Sequence, residues 1–159
     1  MKLTTHQQAT FDSIIGSIEE SVLMGQKYMC SLSGPAGTGK TVLISKIIAS
    51  LQLHYPSKEI KLCTPTHKSL SVAKNMVNKK TKKNNKFSSG TIHSYLKLKA
   101  ETLEDKIIFV EDEHNKEKDN VKILIVDESS MISQELFEHI KHKLHNGVCE
   151  VVLFVGDKI

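Results

Sequence analysis

Arginine is missing from this 159-residue chain, and so is tryptophan; all 22 basic residues are lysine. Without a guanidinium group, the chain offers no bidentate clamp on a phosphate or carboxylate and no arginine finger in cis. Cysteine is scarce. Cys30, Cys63 and Cys149 stand far apart, each in or beside an apolar run, and no C-x-x-C pair exists. This argues against a thiolate metal site and predicts buried, reduced thiols in a reducing compartment. No stretch approaches the ~18 apolar residues of a membrane helix, and residues 1–10 do not read as a signal peptide. The expectation is a soluble, cytoplasmic chain, bacterial or from a phage- or virus-infected host. What is present is ordinary for one globular domain: 39% hydrophobic and 25% charged residues. A chain of this size can build a core without disulfides or structural metal.

The net charge of +4 hides a segregated distribution. Residues 58–99 hold 11 lysines against the single acid Glu59, whereas residues 100–120 hold 8 acids and 3 lysines. The run KKTKKNNK at 79–86 has two readings that charge alone does not separate. It is either a solvated loop or an electrostatic footprint for a polyphosphate backbone.

Along the chain, Thr4 or Thr5 can cap a helix whose apolar positions Phe11, Ile14, Ile15, Ile18 and Val22 follow helical spacing, with Gly25 ending it. Strands are predicted at 28–33, 60–64, 122–126 and 150–155, and helices at 40–53, 67–77 and 133–145. Residues 79–90 read as irregular, 92–96 as a helical turn, and 96–99 with 106–110 as a small inserted hairpin. Near-continuous apolar strands alternating with helices predict an α/β fold, a parallel sheet covered on both faces.

Two motifs carry chemistry. Gly34-Pro35-Ala36-Gly37-Thr38-Gly39-Lys40-Thr41 fits G-x-x-x-x-G-K-[ST] between a predicted strand and a predicted helix. Its glycines, with Thr38 between them, let backbone N–H groups turn around phosphate oxygens at the positive end of the helix. Lys40 is then expected at the β- and γ-phosphates and the Thr41 hydroxyl on Mg²⁺. Downstream, the apolar strand ending in Asp127-Glu128 delivers two carboxylates, Asp127 for Mg²⁺ and Glu128 to orient and deprotonate an attacking water. The chemistry implied is ATP hydrolysis, a P-loop NTPase.

With those residues in place the chain resembles the RecD/Dda group of superfamily-1 DNA helicases over nearly its whole length. Leu3-Thr4-Thr5-His6-Gln7 is similar to that group's Q motif, which makes Gln7 the adenine reader. Thr64-Pro65-Thr66-His67-Lys68 resembles motif Ia and Ser89-Gly90-Thr91-Ile92-His93-Ser94 motif Ib. Both contact single-stranded DNA in these helicases, so Thr66, His67, Lys68, Thr91 and His93 are the implied nucleic-acid residues. Asp127-Glu128-Ser129-Ser130-Met131 resembles motif II, and Gly156-Asp157 the start of motif III. The resemblance implies a RecA-like domain 1A over residues 1–95 and 120–159. Residues 96–119 become the inserted 1B pin, with Phe109 near its base-contacting surface. Three placements stay open on the residues. Thr66 can be a plain helix cap, His93 a packed core histidine, and Phe109 a ring lying under its own hairpin. His139, His142 and His145 share part of one helix face, but no cysteine or acid completes a metal site there.

Motifs IV to VI, the second RecA-like domain and its arginine finger do not occur in these 159 residues. The expectation is therefore a truncated motor half that binds ATP, Mg²⁺ and single-stranded DNA. Hydrolysis and unwinding would need a second domain or partner chain. The alternative is a noncatalytic nucleotide- and DNA-binding module, or a split helicase half. A P-loop kinase is disfavoured by Glu128, since transfer to a bound hydroxyl does not need the carboxylate pair.

Overall fold

The computed structural model describes residues 3–34, 39–80, 87–111 and 120–157, with side chains of 76–80, 99 and 111 left aside. Thr4 starts helix α1 (Thr5–Leu23) through a capping box: its hydroxyl accepts from Gln7 N while the Gln7 side chain accepts from Thr4 N. The helix ends at Met24, and Gly25 follows at φ 67. Strand β1 (Tyr28–Gly34) leads to α2 (Lys40–Leu51), β2 (Ile60–Thr64), α3 (His67–Lys80), β3 (Ser88–Thr91) and the short α4 (Ile92–Leu96). A hairpin of β4 (Leu98–Leu103) and β5 (Lys106–Glu111) follows, then β6 (Ile123–Val126), α5 (Gln134–Asn146) and β7 (Val151–Asp157).

Five strands form one parallel sheet in the order β1-β7-β6-β2-β3. Period-2 alternation divides its side chains between two cores. Ile60, Leu62, Ile123, Ile125, Val151, Leu153 and Val155 face α1, α2 and α3, while Cys63, Leu124, Val126, Val152 and Phe154 face α4 and α5. This is the two-faced parallel sheet that the apolar strands predict. Cys63 and Cys149 are buried, and Cys30 is half-buried.

Two sequence expectations need correction. Residues 79–90 are not irregular throughout: α3 runs to Lys80, and Ser88–Thr91 forms a fifth strand paired with β2, Lys61 opposite Ser88 through Thr64 opposite Thr91. The segment Ser-Ser-Gly-Thr has no apolar alternation; backbone pairing to β2 makes it a strand. The hairpin is also longer than expected. It pairs Leu98 with Glu111 through Leu103 with Lys106 around a turn in which Glu104 and Asp105 both take positive φ. The run 81–86 lies outside the described residues.

Candidate functional site

The described residues of motifs I, Ia, Ib, II and III gather at the C-terminal ends of the parallel strands, where a doubly wound sheet places its ligands. The order of strands sorts them. Gly34 ends β1, Asp157 ends β7, Asp127 and Glu128 follow β6, Thr66 to Lys68 follow β2, and Thr91 to His93 follow β3. The phosphate-type motifs thus gather at one side of the sheet and the motif Ia and Ib residues at the other.

At the β1 side, Lys40 is half-inserted, with 16% of its side chain exposed. Its Nζ donates to Gly34 O at 2.8 Å and pairs with Asp157 Oδ1 at 2.6 Å. Gly39, the residue before α2, has φ +80, and a Cβ there would lie 2.7 Å from Gln7 Nε2. The positive φ is what favours glycine here, since the Gln7 amide is the far end of a flexible side chain. His6, Gln7, Thr10, Leu32, Gly34, Gly39 and Lys40 line one cavity of ≈ 200 Å³, which brings Gln7 to the P-loop lysine. Gly37 and Thr38 lie outside the described residues.

A second cavity, again ≈ 200 Å³, is lined by Thr41, Asp127 and Glu128 together with Lys68, Ser69, Val72 and Ala73 of α3. Burial pushes the Asp127 carboxyl above the usual carboxylate range. The Glu128 N–H opposes this by donating to Asp127 Oδ1 at 2.9 Å, the Glu128 and Asp157 charges reinforce it, and Lys40 opposes it. Such a carboxylate gains by meeting a cation, and the Thr41 hydroxyl shares its cavity, so the donor set fits Mg²⁺. Glu128 is held at φ 55, ψ 39, a left-handed conformation rare outside glycine. The turn after it, Ser129–Met131, lies tight against β7: a Cβ on Gly156 would fall 2.5 Å from Ser129 Oγ and 3.1 Å from Ser130 N.

On the β2–β3 side the structure assigns local work to several expected nucleic-acid residues. Thr66 Oγ1 accepts from Ser69 N at 3.1 Å and contacts Ser69 Oγ at 2.8 Å, the geometry of a helix cap. His67 opens α3 and is exposed. Thr91 is buried, and its hydroxyl accepts from Ser94 N at 3.2 Å to cap α4. His93 and Phe109 meet, ring centroids 4.6 Å apart, and Phe109 N donates to Glu135 Oε1 at 3.0 Å. Phe109 pairs with Ala100, well back from the turn, so it braces the hairpin's base; the apolar side chains exposed near the tip are Leu103 and Ile107. The alternation of β5 does not tell which end of the strand meets the sheet, and that hid these two residues. Lys68 is likewise found beside Thr41, Asp127 and Glu128.

The AAA domain family matches residues 19–159. The chain belongs to that family. It is 34% identical over 136 residues to the ATP-dependent DNA helicase dda of Enterobacteria phage T4, covering 86% of this chain and 28% of the helicase. An uncharacterised protein of Acanthamoeba polyphaga mimivirus is 31% identical over 162 residues, covering 96% of this chain and 32% of that protein. Among solved structures, the Pif1 helicase of Candida albicans superposes with TM-score 0.56 at 22% identity, over 99% of this chain and 33% of that one. The Sulfolobus solfataricus SWI2/SNF2 ATPase core gives 0.62 at 11% identity, over 98% and 32%. These AAA-domain sequences and folds support the Dda-like superfamily-1 resemblance and the RecA-like assignment. The chain spans about a third of the length of each of these four relatives.

Proposed function

We propose that this AAA domain is the ATP-binding motor half of a Dda-like DNA helicase. The observation that carries the reading is the convergence of Thr41, Asp127 and Glu128 on one cavity, with Lys40 and Gln7 on the adjoining one. Gln7 would meet the adenine, Gly34 to Gly39 the phosphate oxygens through backbone amides, and Lys40 the β- and γ-phosphates. Thr41 and Asp127 would hold Mg²⁺, which neutralises phosphate charge when bound. Glu128 would orient the attacking water and take its proton.

Single-stranded DNA would cross the β2 and β3 ends. The lysine-rich segment would supply the charge, His93 and exposed His67 their imidazoles, and Thr66 and Thr91 the helix ends they cap. The hairpin, with residues 96–119 as the inserted 1B unit and the remainder as domain 1A, would present Leu103 and Ile107 to the bases. The arginine finger would come from a second RecA-like domain or chain.

Calorimetric titration of Mg²⁺–ADP and fluorescence titration with oligo-dT test the reading. Wild type binds both, whereas Lys40→Ala loses nucleotide binding and keeps the oligonucleotide. Absence of nucleotide binding by wild type overturns it. Turnover without the second domain is expected to be very slow, and robust DNA-stimulated hydrolysis by residues 1–159 would overturn that part.

A further inference from the structure

The resemblance to motif Ia puts Lys68 with the DNA-contacting residues, but its place in the fold points elsewhere. It is the second residue of α3 and lines the cavity that also holds Thr41, Asp127 and Glu128. Because Lys68 lines one cavity with them, an ammonium on a flexible four-carbon stem can reach an anion bound against Thr41 and Asp127. Among the described residues Lys68 has no ion-pair partner. The other cation of the site is placed differently: Lys40 lines the Gln7 cavity and is held by Gly34 O and Asp157. The two lysines thus line different cavities, Lys40 the one shared with Gln7 and Lys68 the one shared with Thr41, Asp127 and Glu128.

We infer that Lys68 selects nucleoside triphosphate over diphosphate, its ammonium meeting the γ-phosphate in the cavity of Thr41, Asp127 and Glu128. The inference rests on the ATP-site reading and deepens it. In a chain without arginine, a lysine supplies the charge in this cavity from within the domain. Lysine suits this task because a compact point charge with three donors binds one terminal phosphate without a fixed fork geometry. A contact made only with the third phosphate strengthens triphosphate binding and leaves diphosphate binding alone.

The test is titration of the full chain and of Lys68→Ala, Lys68→Met and Lys68→Arg with Mg²⁺–ADP, with a non-hydrolysable Mg²⁺–ATP analogue, and with oligo-dT at several salt concentrations. Expected in the Ala and Met variants is a loss of about 10-fold for the analogue, the size of one charge-assisted contact. ADP affinity changes less than about twofold, oligo-dT binding is unaltered, and Lys68→Arg restores the preference. An unchanged analogue-to-ADP ratio overturns the inference. So does a fall in oligo-dT affinity with a salt slope smaller by about one, which would make Lys68 a DNA phosphate contact. If wild type binds neither nucleotide, the ATP-site reading itself falls. Variants that still bind ADP with an unaltered ratio remove only the Lys68 role.

Discussion

Lys40 and Asp157 hold one another at 2.6 Å across the ends of neighbouring strands, so an anion arriving at the P-loop competes with one already there. Asp157→Asn removes the competing charge, keeps the shape, and leaves Lys40 bonded to Gly34 O. Nucleotide affinity is expected to rise roughly three- to ten-fold, read by calorimetry; no change, or a fall, would show that Asp157 does not compete. Asp127 makes a second residue-scale case. Its folded carboxyl titrates above the ordinary range because burial disfavours the charge, so the folded state binds this proton more tightly than the unfolded chain does. Its ionisation therefore costs stability once the pH rises through the window between the ordinary carboxylate value and the raised one. Asp127→Asn can still accept from Glu128 N. Without nucleotide it should melt at a higher temperature than wild type at neutral pH, and the gap should narrow as the solution is acidified. A gap that widens toward acid would contradict the cause given for the shift.

Elements are coupled here through close contacts that substitution can pry open. Gly156 of β7 lets the Ser129–Met131 turn approach to backbone distance. In Gly156→Ala the added methyl can turn the Ser129 hydroxyl aside but still meets the Ser129 and Ser130 backbone nitrogens at 3.2 and 3.1 Å, and should cost about 1–3 kcal/mol in urea denaturation, as overpacked sites do; a neutral result would mean that the turn shifts freely. The hairpin is tied to α5 by Glu135, whose carboxylate accepts from Phe109 N. In Glu135→Ala the Phe109 amide should lose hydrogen-exchange protection while the β6 and β7 amides keep theirs. Legibility at this scale followed burial. Ile123-Leu124-Ile125-Val126 announces a core strand because both its faces are packed, and Thr4 or Thr5 announces a helix cap because the interaction is local, whereas the part of Gln7 in that cap appears only in the structure. Ser88–Thr91 was not legible, since its partner lies in β2, far back in the chain, and its own residues carry no pattern. The P-loop and the carboxylate pair could be read from residue type and spacing. The Asp157 pairing and the Lys68 placement could not, because both depend on which strand ends the topology makes neighbours.

For the molecule as a whole, the position of β7 decides how the parts cohere. It lies between β1 and β6, and Leu153, fully buried, packs into the core formed with α1 and α2. Leu153→Ala should cost about 2–5 kcal/mol, lowering the thermal midpoint and the nucleotide-binding signal in a single transition. Separate transitions for the two would show that the nucleotide site and the sheet melt independently. The same sheet order has a consequence during synthesis. Among the described strands the earliest, β1, finds its hydrogen-bonding neighbour in the latest, about 120 residues on in the chain. On a ribosome, α1 and β1 would emerge well before that neighbour and wait, apolar side chains unpaired, until residues 151–157 clear the exit tunnel. The nucleotide site, assembled from both ends of that interval, forms only then.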